Sequence, residues 1–373
     1  MFKSSFVAFH GTLLLLAVGV LFVTGVVTIF NTTSADVLDQ ARNQSTHQAL
    51  IRQLLYAAFG CWIALGAWWM GYRTILRLSP LLLGLATLGL ILVFVPGIGR
   101  AANGSHRWLS LGGLTLQPSE FVKVLLPAYF IHRFLQREAA FQTFWGFVKQ
   151  VAVLAVPMEL ILVEPNHGPV GVLGLTLAVL FFLVGIKWTY WALPAVILSV
   201  GLGILAMSTP YVTARLQVYL HPETDLQGRG HQPYQAKIAA GSGQLFGKGP
   251  GASFQKLSYL PEAQNDYIAA IFAEEFGFVG MLALILTYML IAYIGCYIAA
   301  TAPDREGCYL AVAITFLISF QAFMNLGVVS GLLPSTGLNL PLFSQGGSSL
   351  LANLLALGIL LSVAERREVR VTV

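Results

Sequence analysis

The chain has 373 residues, of which 57% are hydrophobic and only 10% charged, with a net charge of +5. An ordinary soluble domain is about 25% charged, and a soluble fold this apolar would expose patches that aggregate. The composition therefore excludes a soluble protein and predicts one polytopic membrane domain over residues 1–373, in which the positive excess reports orientation and nucleic acid is not an expected partner.

A membrane-crossing helix needs about 20 mostly apolar residues. On that measure the sequence predicts an all-α polytopic protein with about ten spans, near 11–30, 52–71, 78–97, 118–135, 147–164, 168–186, 188–208, 266–300, 307–332 and 343–364. The first apolar run, preceded by Lys3, is too long for a signal-peptide core and reads as an uncleaved span. Between spans three and four, residues 100–117 are too polar to cross; alternation around Trp108, Leu109 and Leu111 predicts a short extended or re-entrant piece. Only EPNHG joins spans five and six, which should form a tight hairpin. The eighth span is long enough to begin as a tilted or interfacial helix. A large polar loop, 209–265, separates spans seven and eight.

Basic residues in short loops set orientation. With the N-terminus inside, the cytoplasmic side carries Lys3, Arg73, Arg77, Arg133, Arg137, Lys149, Lys187, Arg305, Arg366, Arg367 and Arg370. The opposite short loops carry Arg42, Arg52, Arg100 and Arg107. Both termini are then cytoplasmic, and the 209–265 loop is extracytoplasmic. Cys61, Cys296 and Cys308 form no CxxC or Cys/His cluster, so no disulfide or zinc site is expected.

Ionisable groups at membrane depth need a partner or a purpose. Glu120 and Lys123 are three residues apart on span four and share a helix face. They can be a structural ion pair, or line a polar cavity with Arg107, whose guanidinium suits phosphate. Asp266 stands where the polar loop re-enters the membrane. It can be a first-turn or N-cap acid, and a carboxylate there can also accept a proton from a hydroxyl. On a continuous helix, Glu274 would fall roughly 80° around from Asp266 and Glu275 roughly opposite. The segment GSGQLFGKGPG lacks the spacing of a Walker loop, since Lys248 is followed by Gly249. Its glycines allow close backbone approach to an anionic ligand, and Lys237, Lys248 and Lys256 bring positive charge; all three can equally be surface lysines. His167 reads as a turn residue. Pro334–Gly337 and Ser344–Ser349 flank a reverse turn whose hydroxyls can satisfy broken backbone or contact substrate. Classical hydrolase and metalloprotease motifs do not occur.

The motifs NGSHRWLSLGG…LQPSEFVK (Asn103–Lys123), EPNHG (Glu164–Gly168), YQAKIAAGSGQLFGKGPG (Tyr234–Gly251), QKLSYLPEAQNDYIAAIFAEEFGFVG (Gln255–Gly280) and GLLPSTGLNLPLFSQGGSS (Gly331–Ser349) occur in an order that resembles the SEDS family of shape, elongation, division and sporulation proteins. The QKLxYLPEA run is more similar to the division branch than to the elongation branch. The resemblance implies ten transmembrane helices in the cytoplasmic (inner) membrane. It also implies a glycosyltransferase that polymerises lipid II for the cell wall, with a class B penicillin-binding protein as transpeptidase partner and other divisome proteins around it. It places the family's essential acid on Asp266, its RW arginine on Arg107 and its paired charges on Glu120 and Lys123, with Ser348 in the SYGGSS-like turn. Three positions depart from the pattern: Gln264–Asn265 replaces His-Thr, Asn166 replaces an aspartate, and Gln345 replaces a tyrosine.

These readings combine into one expected mechanism. Asp266 is the base that deprotonates an acceptor sugar hydroxyl as it attacks the anomeric carbon of a lipid-linked donor, with inversion. Arg107, Lys123 and Lys248 hold the leaving diphosphate, Glu120 orients Lys123, and Ser348 contacts substrate. No cofactor is required; a divalent cation, Mg or Mn, suits the diphosphate, but no compact ligand cluster demands one. A lipid II flippase and a noncatalytic scaffold are the alternatives, separated from synthesis by where the acid lies relative to the outer leaflet.

Overall fold

The computed structural model describes residues 2–39, 46–102, 105–111, 114–164, 166–207, 219–221, 230–257, 260 and 263–365. Much of the 209–265 loop, together with Arg42, Arg366, Arg367 and Arg370, lies outside the described residues.

In lipid every backbone polar group must be satisfied within the protein, so the apolar runs become helices. They are α1 (Phe2–Asp39), α2 (Gln48–Met70), α3 (Tyr72–Leu92), α4 (Pro118–Gln136), α5 (Phe144–Val163), α6 (His167–Leu183), α7 (Trp188–Met207), α8 (His231–Ser242), α9 (Ile268–Ala300), α10 (Arg305–Val329) and α11 (Gly347–Glu365). Among the described residues seven helices, α1, α2, α3, α5, α9, α10 and α11, are long and apolar enough to cross a membrane, and α6 is a shorter apolar helix. The chain is a multi-pass membrane protein. Helices α2 and α11 pack closely through glycine: a methyl on Gly60 would stand 2.5 Å from Leu354 Cδ1, and one on Gly358 would run into the Ala64 carbonyl. The helix α4 is more polar than its neighbours yet almost wholly buried, with Val122, Leu126, Phe130 and Ile131 in the core.

The polar 100–117 segment is an antiparallel sheet in the order β1 (Gly99–Ala102), β2 (Ser105–Leu111), β3 (Leu114–Leu116), as the alternation predicts. Trp108 pairs with Arg100 and Leu109 with Leu116.

The expected long eighth span is α9, whose 33 residues are interrupted at Gly277, with φ 65° and ψ −162°. The glycine-rich loop fills that interruption. Lys248 N and Gly249 N donate to the Glu274 and Glu275 carbonyls, and Phe278 N and Val279 N donate to Gln244 and Leu245 carbonyls, all at 2.9–3.1 Å. A methyl on Gly243, Gly247 or Gly277 would collide with Ala273 O, Glu275 O or Gly247 N respectively. The close approach that these glycines permit is therefore to α9, and the expectation of an anionic ligand there is corrected on that ground.

On the opposite side of the bundle Asp304 caps α10, accepting from Gly307 N at 2.8 Å, while Tyr72 OH and Arg73 bind its other oxygen. At the other end of α10, Gln321 and Asn325 face the non-helical stretch that leads to α11. Gln321 Nε2 donates to Asn339 O, and Asn325 Nδ2 to both Leu338 O and Asp266 O, at 2.7–2.8 Å.

Candidate active site

The polar motifs, far apart in sequence, converge on a cavity of about 500 Å³ between the sheet, α2, α4, the turn before α9 and the turn before α11. Its wall includes Arg107 on β2, Glu120 on α4, Asp266, and Ser348 on α11.

Asp266 lies one residue ahead of the N-cap of α9, which is Tyr267. It is thus neither N-cap nor first-turn acid, and helical angles do not relate it to Glu274 or Glu275. Its backbone carbonyl is pinned by Asn325, and Gly337 stands below the carboxylate, where a methyl would reach 3.6 Å from Oδ2. Asp266 is half-buried, and the Arg107 guanidinium is close enough to feel it.

Arg107 donates from Nε to the backbone carbonyl of Glu164 at 3.0 Å. Burial pulls its pKa down, and the nearby Glu164 and Asp266 charges oppose that pull. Glu164, in the turn after α5, is fully buried, and burial lifts its carboxyl to about 8 against the restraining charge of Arg107.

Glu120 and Lys123 meet as their spacing predicts, with Nζ 2.8 Å from Oε2. Lys123 directs its hydrogen bond to Gln321 Oε1 at 2.8 Å, so the contact with Glu120 is one of charge rather than hydrogen-bond geometry. Lys123 is 2% exposed and stands behind Glu120, outside the cavity wall.

Ser348 is engaged with backbone: its Oγ accepts from Gln117 N at 2.8 Å and donates to Thr115 O at 3.3 Å. Tyr56 closes the same corner, with its hydroxyl 3.0 Å from both Thr115 N and Thr115 O. All three departures from the family pattern reach the cavity wall as well, through Asn166, Asn265 and Gln345.

Lys248 is elsewhere. Its Nζ sits 2.6 Å from Glu274 Oε1, a carboxylate that also accepts from Ser242, Ser253, Phe254 N and Gln255 N. Lys256 pairs with Glu275 at 3.2 Å. Two of the loop's three lysines neutralise the acids of α9.

The cavity instead draws cations that the sequence reading left in loops. Arg52 and Arg100 are exposed residues of its wall, beside Gln53, Gln232 and Asn339. Amides in otherwise apolar helices, such as Gln53, Gln321 and Asn325, were the available signal. Among the described residues no three His, Cys, Asp or Glu side chains gather as a metal site. Chemically the arrangement offers one carboxylate able to take a proton, a second held against a buried ammonium, and three guanidinium groups for an anion.

The family described as cell cycle protein, FtsW/RodA/SpoVE, matches residues 12–369. A protein of Legionella pneumophila named probable peptidoglycan glycosyltransferase FtsW is 38% identical over 325 residues, covering 84% of this chain and 81% of its own length. Its namesake in Thioalkalivibrio sulfidiphilus is 43% identical over 323 residues, covering 84% and 80%. Among solved structures, a chain described under structural coordination of polymerization and crosslinking by a peptidoglycan synthase complex superposes with a TM-score of 0.76. It is 27% identical, with 95% of this chain and 97% of that chain covered.

Proposed function

The chain belongs to the FtsW/RodA/SpoVE family, and from that premise we propose that it is a peptidoglycan glycosyltransferase that polymerises lipid II for septal wall synthesis. The observation that carries the mechanism is the polar cavity that gathers Asp266 with Arg52, Arg100 and Arg107. In the proposed step an acceptor sugar hydroxyl attacks the anomeric carbon of the lipid-linked donor from the face opposite the diphosphate. Asp266 takes the hydroxyl proton as the new C–O bond forms. The bond to the leaving oxygen breaks, its electron pair stays with the diphosphate, and the arginines stabilise that charge. Glu120 shapes the wall from its place on Lys123, and Lys248 serves the fold of the loop.

The same reading assigns ten spans, with α4, α6 and α7 completing the seven, one domain over 1–373, and 209–265 as an extracytoplasmic loop. It puts both termini on the cytoplasmic side of the inner membrane. The cavity then opens at the outer leaflet. An apolar groove of about 810 Å³ between α1, α2 and α11 adjoins it along α2, where Tyr56 lines the cavity and Ala57 the groove, and offers a path for polyprenyl. Transport of the same lipid would require a polar path through the apolar core of α4 below Lys123. A class B penicillin-binding protein and other divisome proteins are the proposed partners.

The test supplies fluorescent lipid II to the purified protein with its transpeptidase partner, with Mg, Mn or EDTA as separate arms that read any use of a divalent cation. Asp266→Asn and Asp266→Ala are expected to lower polymer formation by about 10²–10⁴-fold at unchanged detergent-solubilised yield. Wild-type rates from both variants would overturn the base assignment.

A further inference from the structure

Glu164 is a carboxylate in an unusual position. It is 0% exposed, and among the described residues neither of its side-chain oxygens has a hydrogen-bond partner. Burying an ionised carboxylate without donors is strongly unfavourable, and such a group holds a proton instead. Its backbone carbonyl nevertheless fixes Arg107 Nε at 3.0 Å, and Arg107 lines the cavity. The acid and the arginine are thus tied by a main-chain bond whatever the acid's charge, and the charge alone decides how strongly Glu164 competes for the guanidinium.

We propose that Glu164 is a positioning residue that works as a neutral acid: protonated, it leaves the Arg107 charge to an anionic diphosphate in the cavity, and ionised, it draws that charge back. The proposal rests on the glycosyltransferase reading for the identity of the anion. It involves no covalent step; the proton is exchanged with solvent.

The neighbouring elements supply few competing charges. From β2 comes Arg107, and through it Asp266, which acts on the same guanidinium. On α4, Glu120 and Lys123 are committed to each other. Helix α6 contributes His167, exposed in Glu164's own turn, while Gln321 and Asn325 of α10 are neutral. The remaining charges of α3 and α10 are engaged elsewhere: Arg73 with Asp304 and Glu306, Arg305 with Glu138, and Arg77 beside His132. Tyr267, which lines the cavity, is pushed up from its ordinary range by burial.

With Glu164 titrating at about 8, a ligand that binds only the protonated form has its apparent Kd multiplied by the inverse of the competent fraction. That factor is close to one at about pH 7 and about tenfold at about pH 9. The sign follows: a raised carboxyl favours binding below its pKa and loses it above.

The experiment measures binding of a short-chain lipid-linked sugar diphosphate by the full-length protein between about pH 6.5 and about pH 9.5. Both phosphates of this diester are ionised throughout. The unsubstituted protein should bind about tenfold more weakly at about pH 9 than at about pH 7, and Glu164→Gln should be flat within about twofold. An alkaline limb that survives in Glu164→Gln, or loss of binding by Glu164→Gln at every pH, overturns the inference alone. No binding by the unsubstituted protein at any pH sinks the functional reading and this inference with it. Infrared difference spectra of the unsubstituted protein provide a readout independent of the variant's folding. The protonated-carboxyl band should disappear between about pH 7 and about pH 9, and its absence at about pH 7 overturns the assignment.

Discussion

Replacing Lys123 by methionine removes a cation 2.8 Å from Glu120 Oε2 and leaves a side chain of similar length. Both side chains are buried, Lys123 at 2% and Glu120 at 8% exposure. At that separation the attraction is about 6 kcal/mol for an effective dielectric of about 20. Desolvation cancels much of it when the pair forms, but not when one partner is removed: breaking a buried pair from one side costs about 3–5 kcal/mol. The lost hydrogen bond to Gln321 Oε1 is contained in that figure. We expect Lys123→Met to destabilise the protein by about 4 kcal/mol, a large share of the roughly 5–15 kcal/mol that keeps a domain folded. Glu120→Gln should cost less, because Gln321 still holds the ammonium. The variant carrying both substitutions leaves neither charge buried and should recover at least about 2 kcal/mol relative to the sum of the single losses. Reversible unfolding of all four proteins in bicelles measures this cycle. Additivity within about 0.5 kcal/mol would show that the two side chains do not act as a pair and would refute the reasoning.

Arg52→Ala and Arg100→Ala should each raise KM for the lipid diphosphate by about tenfold or more, the value of one charge-assisted hydrogen bond, whereas Lys248→Ala should leave KM alone and lower thermal stability; steady-state polymerisation and melting curves read both. Gly277→Ala places a side chain at φ 65°, ψ −162°, where strain costs about 1–3 kcal/mol, and should expose the 243–249 loop to limited proteolysis. Asp304→Ala removes the α10 cap and the partner of Tyr72 and Arg73, for a loss of about 2 kcal/mol. Burial pushes the Asp304 carboxyl up, but Arg73, Gly307 N–H and Tyr72 outweigh it and hold it below its usual value. Its contribution is therefore present above the unfolded pKa of about 4 and fades as pH falls through the lower folded value, so the wild-type advantage in melting temperature should shrink only under acid.

The parts of the site that were legible in the sequence are those set by short spacing. Glu120 and Lys123 are one helical turn apart, and local geometry alone brings them together. Asp266 could be located because an apolar run begins right after it. Lys248 could not, since its partner Glu274 is 26 residues away and the two meet only when the loop folds back over the break at Gly277. The glycines misled for the same reason: close approach was the right inference, and the approaching surface was the chain itself. Arg52 and Arg100 escaped notice as orientation charges, because short-loop arginines serve topology in any membrane protein and nothing local marks those that also face a cavity.

The amides explain why a cavity exists at all. Between α10 and α11 the backbone leaves helical geometry, with Gly331, Gly337 and Leu342 at positive φ. Such a stretch survives at membrane depth only if its carbonyls are met from within. Gln321 and Asn325 do this from successive turns of α10, binding Asn339 O and Leu338 O, while Tyr288 binds Pro341 O at 2.6 Å. The second Asn325 bond goes to Asp266 O, so the residue that supports the broken backbone also fixes the turn that carries the carboxylate. Asn325→Leu should then lower activity and stability together, whereas Asp266→Asn lowers activity alone. Polymerisation and unfolding measured on the same preparations separate the two, and an Asn325→Leu protein of full activity would show that the turn holds its place without that bond.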